Sequence, residues 1–120
     1  MGSKELGDLG EEHAARSLAL RGYNILVRKF RCRAGEIDII ALDRGILVFI
    51  EVRSRSDEEY GFPYETINHR KRQRIRRVAT VFQMKYNFLD RDSRFDCVSV
   101  IFGKNGDLKD IEIIKDAFWS

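Results

Sequence analysis

The alternation of apolar and polar residues divides the chain into two helical and five extended segments. Apolar residues three and four positions apart indicate helices over 8–21 and 66–86, with Asp8 and Thr66 as N-caps and Gly22 ending the first helix. Runs of branched and aromatic residues between turn residues indicate strands over 23–30, 36–42, 46–53, 95–102 and 108–114. The order α-β-β-β-α-β-β predicts an α/β fold, in which helices flank a mixed central β-sheet of about five strands.

Two acidic residues interrupt the most apolar part of this pattern. Asp38 lies within the segment 36–42 and Glu51 within 46–53, although burying an ionised carboxylate without a partner is costly. If Arg44-Gly45 forms the hairpin loop, strand pairing places Asp38 opposite Glu51 on one face, with Cβ atoms roughly 5 Å apart. A loop one residue longer, without a bulge, would put them on opposite faces.

Converging carboxylates offer the hard oxygen ligands that Mg²⁺ or Mn²⁺ prefers. Arg53 follows Glu51 by two residues and projects to the same side of the strand. The same pattern also allows a simple salt-bridged surface, in which Asp38 or Glu51 pairs with Arg53 or Arg55. The residues alone do not decide between a metal site and a salt-bridged surface.

Cations cluster in two places along the chain. Arg31 and Arg33 precede the acidic hairpin, and residues 70–77 (RKRQRIRR) hold six cations in eight positions. The second cluster comprises Arg70, Lys71, Arg72, Arg74, Arg76 and Arg77. No Asp or Glu lies between Thr66 and Leu89 to form helical ion pairs with them. This favours contact with nucleic acid through Arg70, Lys71, Arg72, Arg74 and Arg77 over a solvated helix face. Arg31, Arg33 and Arg55, beside the acidic hairpin, are further candidates for nucleic-acid contact, and an ordinary solvated loop is the alternative for the first two.

Composition narrows the class of protein. A chain of 120 residues, 43% hydrophobic and 34% charged, is typical of one globular domain, of which residues 1–6 are expected to be disordered. Its net charge of +3 is compatible with a nucleic-acid partner. Cys32 and Cys97 stand too far apart for a zinc motif. The absence of an apolar run of about 18 residues, or of a secretory signal, indicates a cytoplasmic protein without a membrane span.

The stretch GEIDIIALDRGILVFIEVRSR, from Gly35 to Arg55, resembles the hairpin of the PD-(D/E)XK nuclease superfamily. It resembles more closely the YraN family of small bacterial proteins, which are related to archaeal Holliday-junction resolvases. The resemblance covers nearly the whole chain. Its further motifs are Gly10-Glu11 with Ala14 and Leu18, Gly22-Tyr23-x-Ile25-Leu26, Gly61-x-Pro63 with Lys71, Phe95-Asp96 and Ala117-Phe118.

The resemblance implies a restriction-endonuclease-like core and a Mg²⁺- or Mn²⁺-dependent endonuclease that hydrolyses DNA, with branched DNA as a candidate substrate. Asp38 and Glu51 would bind the metal, and Glu11 would be a third acidic group at the site. Glu11 alternatively fits a capping box with Asp8. Asp96 is interpreted as structural. Because related resolvases act as dimers, a homodimer is also implied.

One position departs from the family pattern. The family usually carries Lys where this chain has Arg53, and arginine effectively cannot lose its proton. Arg53 can therefore stabilise phosphate charge but cannot deprotonate an attacking water, and Lys71 is a candidate replacement for that function. Two alternatives to a nuclease follow: a nuclease-fold module that binds DNA without cutting it, and a protein-interaction domain whose basic helix meets an acidic partner.

Overall fold

The computed structural model describes residues 2–57 and 68–117 of the chain. Within these residues, two helices and five strands follow the predicted order. They are α1 (Ser3–Leu20), β1 (Asn24–Cys32), β2 (Gly35–Asp43), β3 (Ile46–Ser56), α2 (His69–Tyr86), β4 (Ser93–Phe102) and β5 (Leu108–Ile114). The predicted α/β fold with a mixed five-stranded sheet is confirmed.

The strands lie in the sheet in their order along the chain, β1-β2-β3-β4-β5. Neighbouring strands are antiparallel except β3 and β4, which are parallel. A parallel pair needs a long crossover connection, and the connection between β3 and β4 contains α2. The edge strands of the sheet are β1 and β5.

The hairpin between β2 and β3 has the two-residue loop on which the predicted register depends. Arg44 and Gly45 have positive φ values of 54° and 84°, as the type I′ turns favoured in such hairpins require. Asp43 pairs with Ile46, and the ladder continues to Ile39 opposite Ile50. The predicted Arg44-Gly45 loop is therefore confirmed, and the register it sets holds as far as Ile39 opposite Ile50.

The two helices cover opposite faces of the sheet. Ala14, Ala15 and Leu18 of α1 pack in one buried cluster with β-strand residues such as Ile39 and Ile50. The helix α2 contributes to a second cluster on the other face, whose helical members are Ile75, Val78, Ala79 and Phe82. Because both faces are covered, the residues Leu47–Ile50 of β3 are all buried.

The predicted boundaries of α1 and β1 are wrong. The helix α1 begins at Ser3 rather than at an Asp8 N-cap, and residues from Ser3 to Leu6, expected to be disordered, belong to it. Glu5 favours this longer start because it lies in the first turn, and Leu6 packs against the buried cluster under α1. The strand β1 continues to Cys32, so Arg31 lies in a strand rather than in a loop.

The start of α2 is also corrected. Asn68 is its N-cap, and its side chain accepts a hydrogen bond from the Lys71 backbone N–H at 2.9 Å. The expected cap, Thr66, lies outside the described residues. No helix in the described part of the chain is long and apolar enough to cross a membrane.

Candidate active site

The two hairpin carboxylates lie where the paired part of β2 and β3 ends. The ladder between these strands ends at Ile39 opposite Ile50, one position before Asp38 and Glu51. There the Asp38 Oδ2 atom accepts a hydrogen bond of 2.8 Å from the backbone N–H of Val52. The side chain of Asp38 thus reaches across to β3 and holds its carboxylate beside Glu51.

Burial and mutual repulsion shape the chemistry of this pair. Burial, followed by the negative charge of Glu51, raises the pKa of Asp38 to about 7, and the Val52 hydrogen bond opposes this rise. Glu51 is only 8% exposed, and its Oε1 atom lies 3.4 Å from Lys71 Nζ. The ion pair of Glu51 is therefore formed with the first turn of α2 rather than with Arg53.

A cavity of about 280 Å³ opens beside these carboxylates. It is lined by acidic side chains from α1, β2 and β3, together with two lysines: Lys4, Asp8, Glu11, Lys29, Glu36, Asp38 and Glu51. The expected convergence of acidic groups from neighbouring elements is thus what the structure shows. Asp38 and Glu51 can interact directly, and Glu11 faces the same cavity from α1.

Glu11 is held by two cations of β1 that the sequence pattern does not single out. Its Oε1 atom lies 3.2 Å from Arg28 Nε and its Oε2 atom 3.5 Å from Lys29 Nζ, and Lys29 also reaches Asp8 at 3.1 Å. The capping box of Asp8 and Glu11 is wrong because both residues lie inside the longer α1. In the sequence, the only sign of this contact is the Arg28-Lys29 pair, which interrupts the apolar run of β1.

The donor set fits a hard divalent cation with few protein ligands. Within residues 2–57 and 68–117, no three Asp, Glu, His or Cys side chains lie close enough to hold a metal together. Asp38 and Glu51 nevertheless supply carboxylate oxygens at an open cavity, and Mg²⁺ in proteins commonly keeps several waters while binding one or two carboxylates. A direct bond from Glu11 to a metal stays a prediction.

Arg53 lies beyond Glu51 on β3 and is half-buried. Its Nε atom is buried and donates no hydrogen bond to any residue that the structure describes. A buried guanidinium N–H without an acceptor is costly, so an anion beside Glu51 would gain a ready donor. Arg55 is also half-buried, on the same strand.

The basic residues of α2 form the rim next to this site. Arg70, Arg74 and Arg77 are exposed, and Lys71 and Arg72 are half-buried. The turn between β1 and β2 lies against the same helix, since a Cβ atom on Gly35 would meet Arg74 Cδ at 3.0 Å. Of the two cations near this turn, Arg33 is exposed, whereas Arg31 pairs with Glu36 at 2.6 Å. Five of the predicted cations therefore lie on the helix that contacts both Glu51 and the β1–β2 turn.

Comparison with known sequences identifies the family of the chain. A sequence model described as Uncharacterised protein family UPF0102 matches residues 10–100. The chain belongs to this family. A UPF0102 protein of Desulforamulus reducens is 46% identical over 116 residues, which cover 95% of each chain. UPF0102 proteins of Clostridium kluyveri and Moorella thermoacetica are 41% and 42% identical, covering 97% and 98% of this chain and 95% and 98% of theirs.

Not every buried charge in this UPF0102 protein belongs to the candidate site. Arg94 bonds to Asp43 at 2.6 Å and to Asp96 at 2.9 Å, and the Tyr23 hydroxyl donates to Asp96 at 3.1 Å. The Arg94 hydrogen bond holds the pKa of Asp43 below its usual range, and burial raises the pKa of Tyr23 to about 12. These groups satisfy one another, which confirms the structural interpretation of Asp96.

Proposed function

We propose that this UPF0102 protein is a restriction-endonuclease-like, metal-dependent endonuclease that hydrolyses phosphodiester bonds of DNA, with branched DNA among its substrates. The observation that carries the proposal is the convergence of Asp38 and Glu51 at an open cavity beside the basic helix α2. Two carboxylates held together at such a cavity oppose folding, and carboxylates with a raised pKa, such as Asp38, concentrate at functional sites.

The roles of the residues follow from their contacts. Asp38, fixed by the Val52 N–H, and Glu51, fixed by Lys71, would hold Mg²⁺ or Mn²⁺. The ion would lower the pKa of a bound water and stabilise the charge of the phosphodiester transition state. Arg53, whose buried Nε atom has no acceptor among the described residues, would bind an oxygen of the scissile phosphate.

Lys71 is the residue best placed to replace the lysine that the family pattern has at position 53. It reaches Glu51 from another element, at 3.4 Å, and a lysine can lose its proton where an arginine cannot. The cations Arg70, Arg72, Arg74 and Arg77 would contact flanking phosphates. A cytoplasmic homodimer, with one site for each of two strands, would suit a branched substrate.

A DNA-binding module without cleavage is the second candidate. Two observations favour it: arginine at position 53 cannot accept a proton, and Glu11 is paired with Arg28 and Lys29. A protein-interaction domain is the third candidate, because the basic face of α2 could also meet an acidic partner. The three candidates predict different results for the binding and cleavage of DNA with and without a divalent cation.

The deciding experiment incubates the purified protein with four-way junctions and linear duplexes, with Mn²⁺, Mg²⁺ or EDTA. We expect cleavage with the cations, none in EDTA and none by Asp38→Ala, whereas Asp107→Ala, at an exposed turn, should cut normally. Binding that weakens with salt, without cleavage, would select the binding module. No binding even below about 50 mM salt would select the protein-interaction domain.

A further inference from the structure

A second depression lies along α2 and shares no lining residue with the acidic cavity. It is a shallow groove of about 400 Å³ between α2 and the turn that joins β1 to β2. Its lining residues are Ala34 from the turn and Gln73, Arg76, Arg77, Thr80 and Val81 from the helix. We propose that this groove binds one unpaired nucleotide of a DNA strand that leaves the duplex next to the cleaved phosphate. This inference rests on the proposed nuclease function.

The residues of the groove lie on one edge of α2. Gln73, Arg77 and Thr80 follow the spacing i, i+4 and i+7, which places them on one line of the helix surface. The buried residues of α2, such as Ile75 and Val78, lie on the line that faces the sheet. The groove is thus a solvent-facing surface of the helix that packing against the sheet leaves open.

The chemistry of the groove combines apolar surface with donors for an anion. Ala34 is half-buried and Val81 is 39% exposed, so both offer apolar contact. Gln73 carries an amide that can pair with the edge of a base. The guanidinium groups of Arg76 and Arg77 can bind a phosphate, and such planes also stack on bases in single-stranded segments. The Thr80 hydroxyl donates a hydrogen bond of 3.0 Å to the backbone carbonyl oxygen of Arg76.

The charges of the groove lack a carboxylate partner in the part of the chain that the structure describes. Neither Arg76 nor Arg77 forms an ion pair with a carboxylate among the residues that the structure describes. Two neighbouring cations without acids create a local positive potential. An anionic ligand would gain both contacts without breaking an existing pair.

The position of the groove along α2 favours nucleic acid over an acidic peptide. Arg76 follows Lys71 by five residues, which is about 7.5 Å along a helix, and Lys71 lies 3.4 Å from Glu51. A DNA strand advances roughly 3.4 Å per nucleotide along its axis. Five residues also turn the helix by about 140°, so the groove faces away from Lys71. A duplex that lies on Lys71 does not reach around the helix, and only a strand that has left the duplex can place a base in the groove.

The test measures binding in EDTA, so it does not depend on cleavage. The probes are a blunt DNA duplex and the same duplex with a single-stranded tail, both fluorescent. We expect the tailed probe to bind about fivefold more tightly or better, the effect of one base contact. Gln73→Ala, which changes no charge, should remove this preference and leave duplex affinity unchanged. Arg76→Ala should also remove it.

The control is Lys85→Ala, which deletes one exposed cation of α2 outside the groove and should keep the preference for the tail. Equal affinity of the wild-type protein for both probes would overturn the inference. So would an equal loss on both probes in Gln73→Ala and Arg76→Ala. Displacement of the tail by polyglutamate as effectively as by a single-stranded oligonucleotide, at equal charge, would assign the groove to an acidic peptide instead. Absence of cleavage with a preserved tail preference would overturn only the nuclease proposal.

Discussion

Asp38 is the residue whose environment differs most from that of an ordinary surface carboxylate. Its pKa is raised to about 7, mainly by burial and then by Glu51, whereas an aspartate in an unfolded chain titrates near 4. Between these two values the folded protein binds more protons than the unfolded chain. Stability therefore falls as the pH rises from about 4 to about 7, and the full cost applies above that range.

Removing this charge should stabilise the protein while removing the proposed cleavage activity. In EDTA, Asp38→Asn should raise the melting temperature at pH 8 by about 3 °C or more, and the gain should shrink at pH 5, where Asp38 is protonated. Asparagine keeps an oxygen that can accept the Val52 hydrogen bond. Thermal unfolding at both pH values, with Asp107→Asn as the exposed control, measures the effect. A melting temperature of the variant below that of the wild type at pH 8 would show that the charge of Asp38 does not destabilise the folded protein.

Position 53 decides whether the proton-transfer function is missing or supplied from elsewhere. The site can lower the pKa of a lysine at this position so that the lysine loses its proton, whereas an arginine keeps its proton. If that function limits the reaction, Arg53→Lys should raise the Mn²⁺-dependent cleavage rate, by 10-fold or more on the scale of general-base effects of roughly 10² to 10⁴. The rate is measured on the best junction substrate. An unchanged rate would discard the idea that proton transfer at position 53 is limiting.

The Lys71→Met variant complements this experiment. If Lys71 already supplies the function, its loss should abolish cleavage in the wild-type background, and Arg53→Lys should restore part of it. Circular dichroism confirms that the variants fold, since Lys71 also partners the buried Glu51.

At the scale of an element, the approach of α1 to β3 positions Glu11 over the cavity. Gly10 lies against β3 so closely that a Cβ atom would overlap the Ser54 side chain. Gly7, one turn earlier, has nothing within 4 Å of such an atom. The two glycines of one helix therefore offer a matched pair of substitutions.

Gly10→Ala should destabilise the protein by about 1 to 3 kcal/mol, because the extra methyl forces α1 away from β3. Gly7→Ala should be neutral or stabilise by up to about 1 kcal/mol, the difference in helix propensity. Urea unfolding of both variants measures the effect. A second substitution, Ser54→Gly, should recover part of the Gly10→Ala loss, and equal stabilities of the two single variants would show that the contact with Ser54 is unimportant.

The elements also show what sequence reasoning can reach. The Arg44-Gly45 turn and the apolar runs around it set the register of the hairpin, and local turn geometry is enough for that. The start of α1 could not be read, because it depends on Leu6 packing in the folded protein. The pairing of Glu11 with Arg28 and Lys29 could not be predicted either, because it joins α1 to β1. Nor does a lysine in the sequence indicate the positive φ of 55° that Lys29 adopts.

Over the whole molecule, the net charge of +3 hides a strong separation of charge. Carboxylates from α1, β2 and β3 line one cavity, and the cations of α2 form the adjacent rim. Opposite charges placed side by side suit a ligand that carries negative charge and meets a divalent cation among the carboxylates. A nucleic-acid strand whose phosphates bind such a cation has this character, whereas an acidic protein partner that binds no cation would be attracted to the rim and repelled by the cavity.

The salt dependence of DNA binding tests this distribution directly. Each side chain that contacts a phosphate should contribute about 0.9 to the slope of log K against log [salt]. Replacing Arg70, Arg74 and Arg77 together by glutamine should reduce the slope by about 2 to 3, because all three are exposed on α2. The matched control replaces Arg16, Arg21 and Lys109, three exposed cations outside α2, and should leave the slope nearly unchanged. If both triple variants lower the slope equally, DNA is attracted by net charge alone, and α2 is not the surface that binds it.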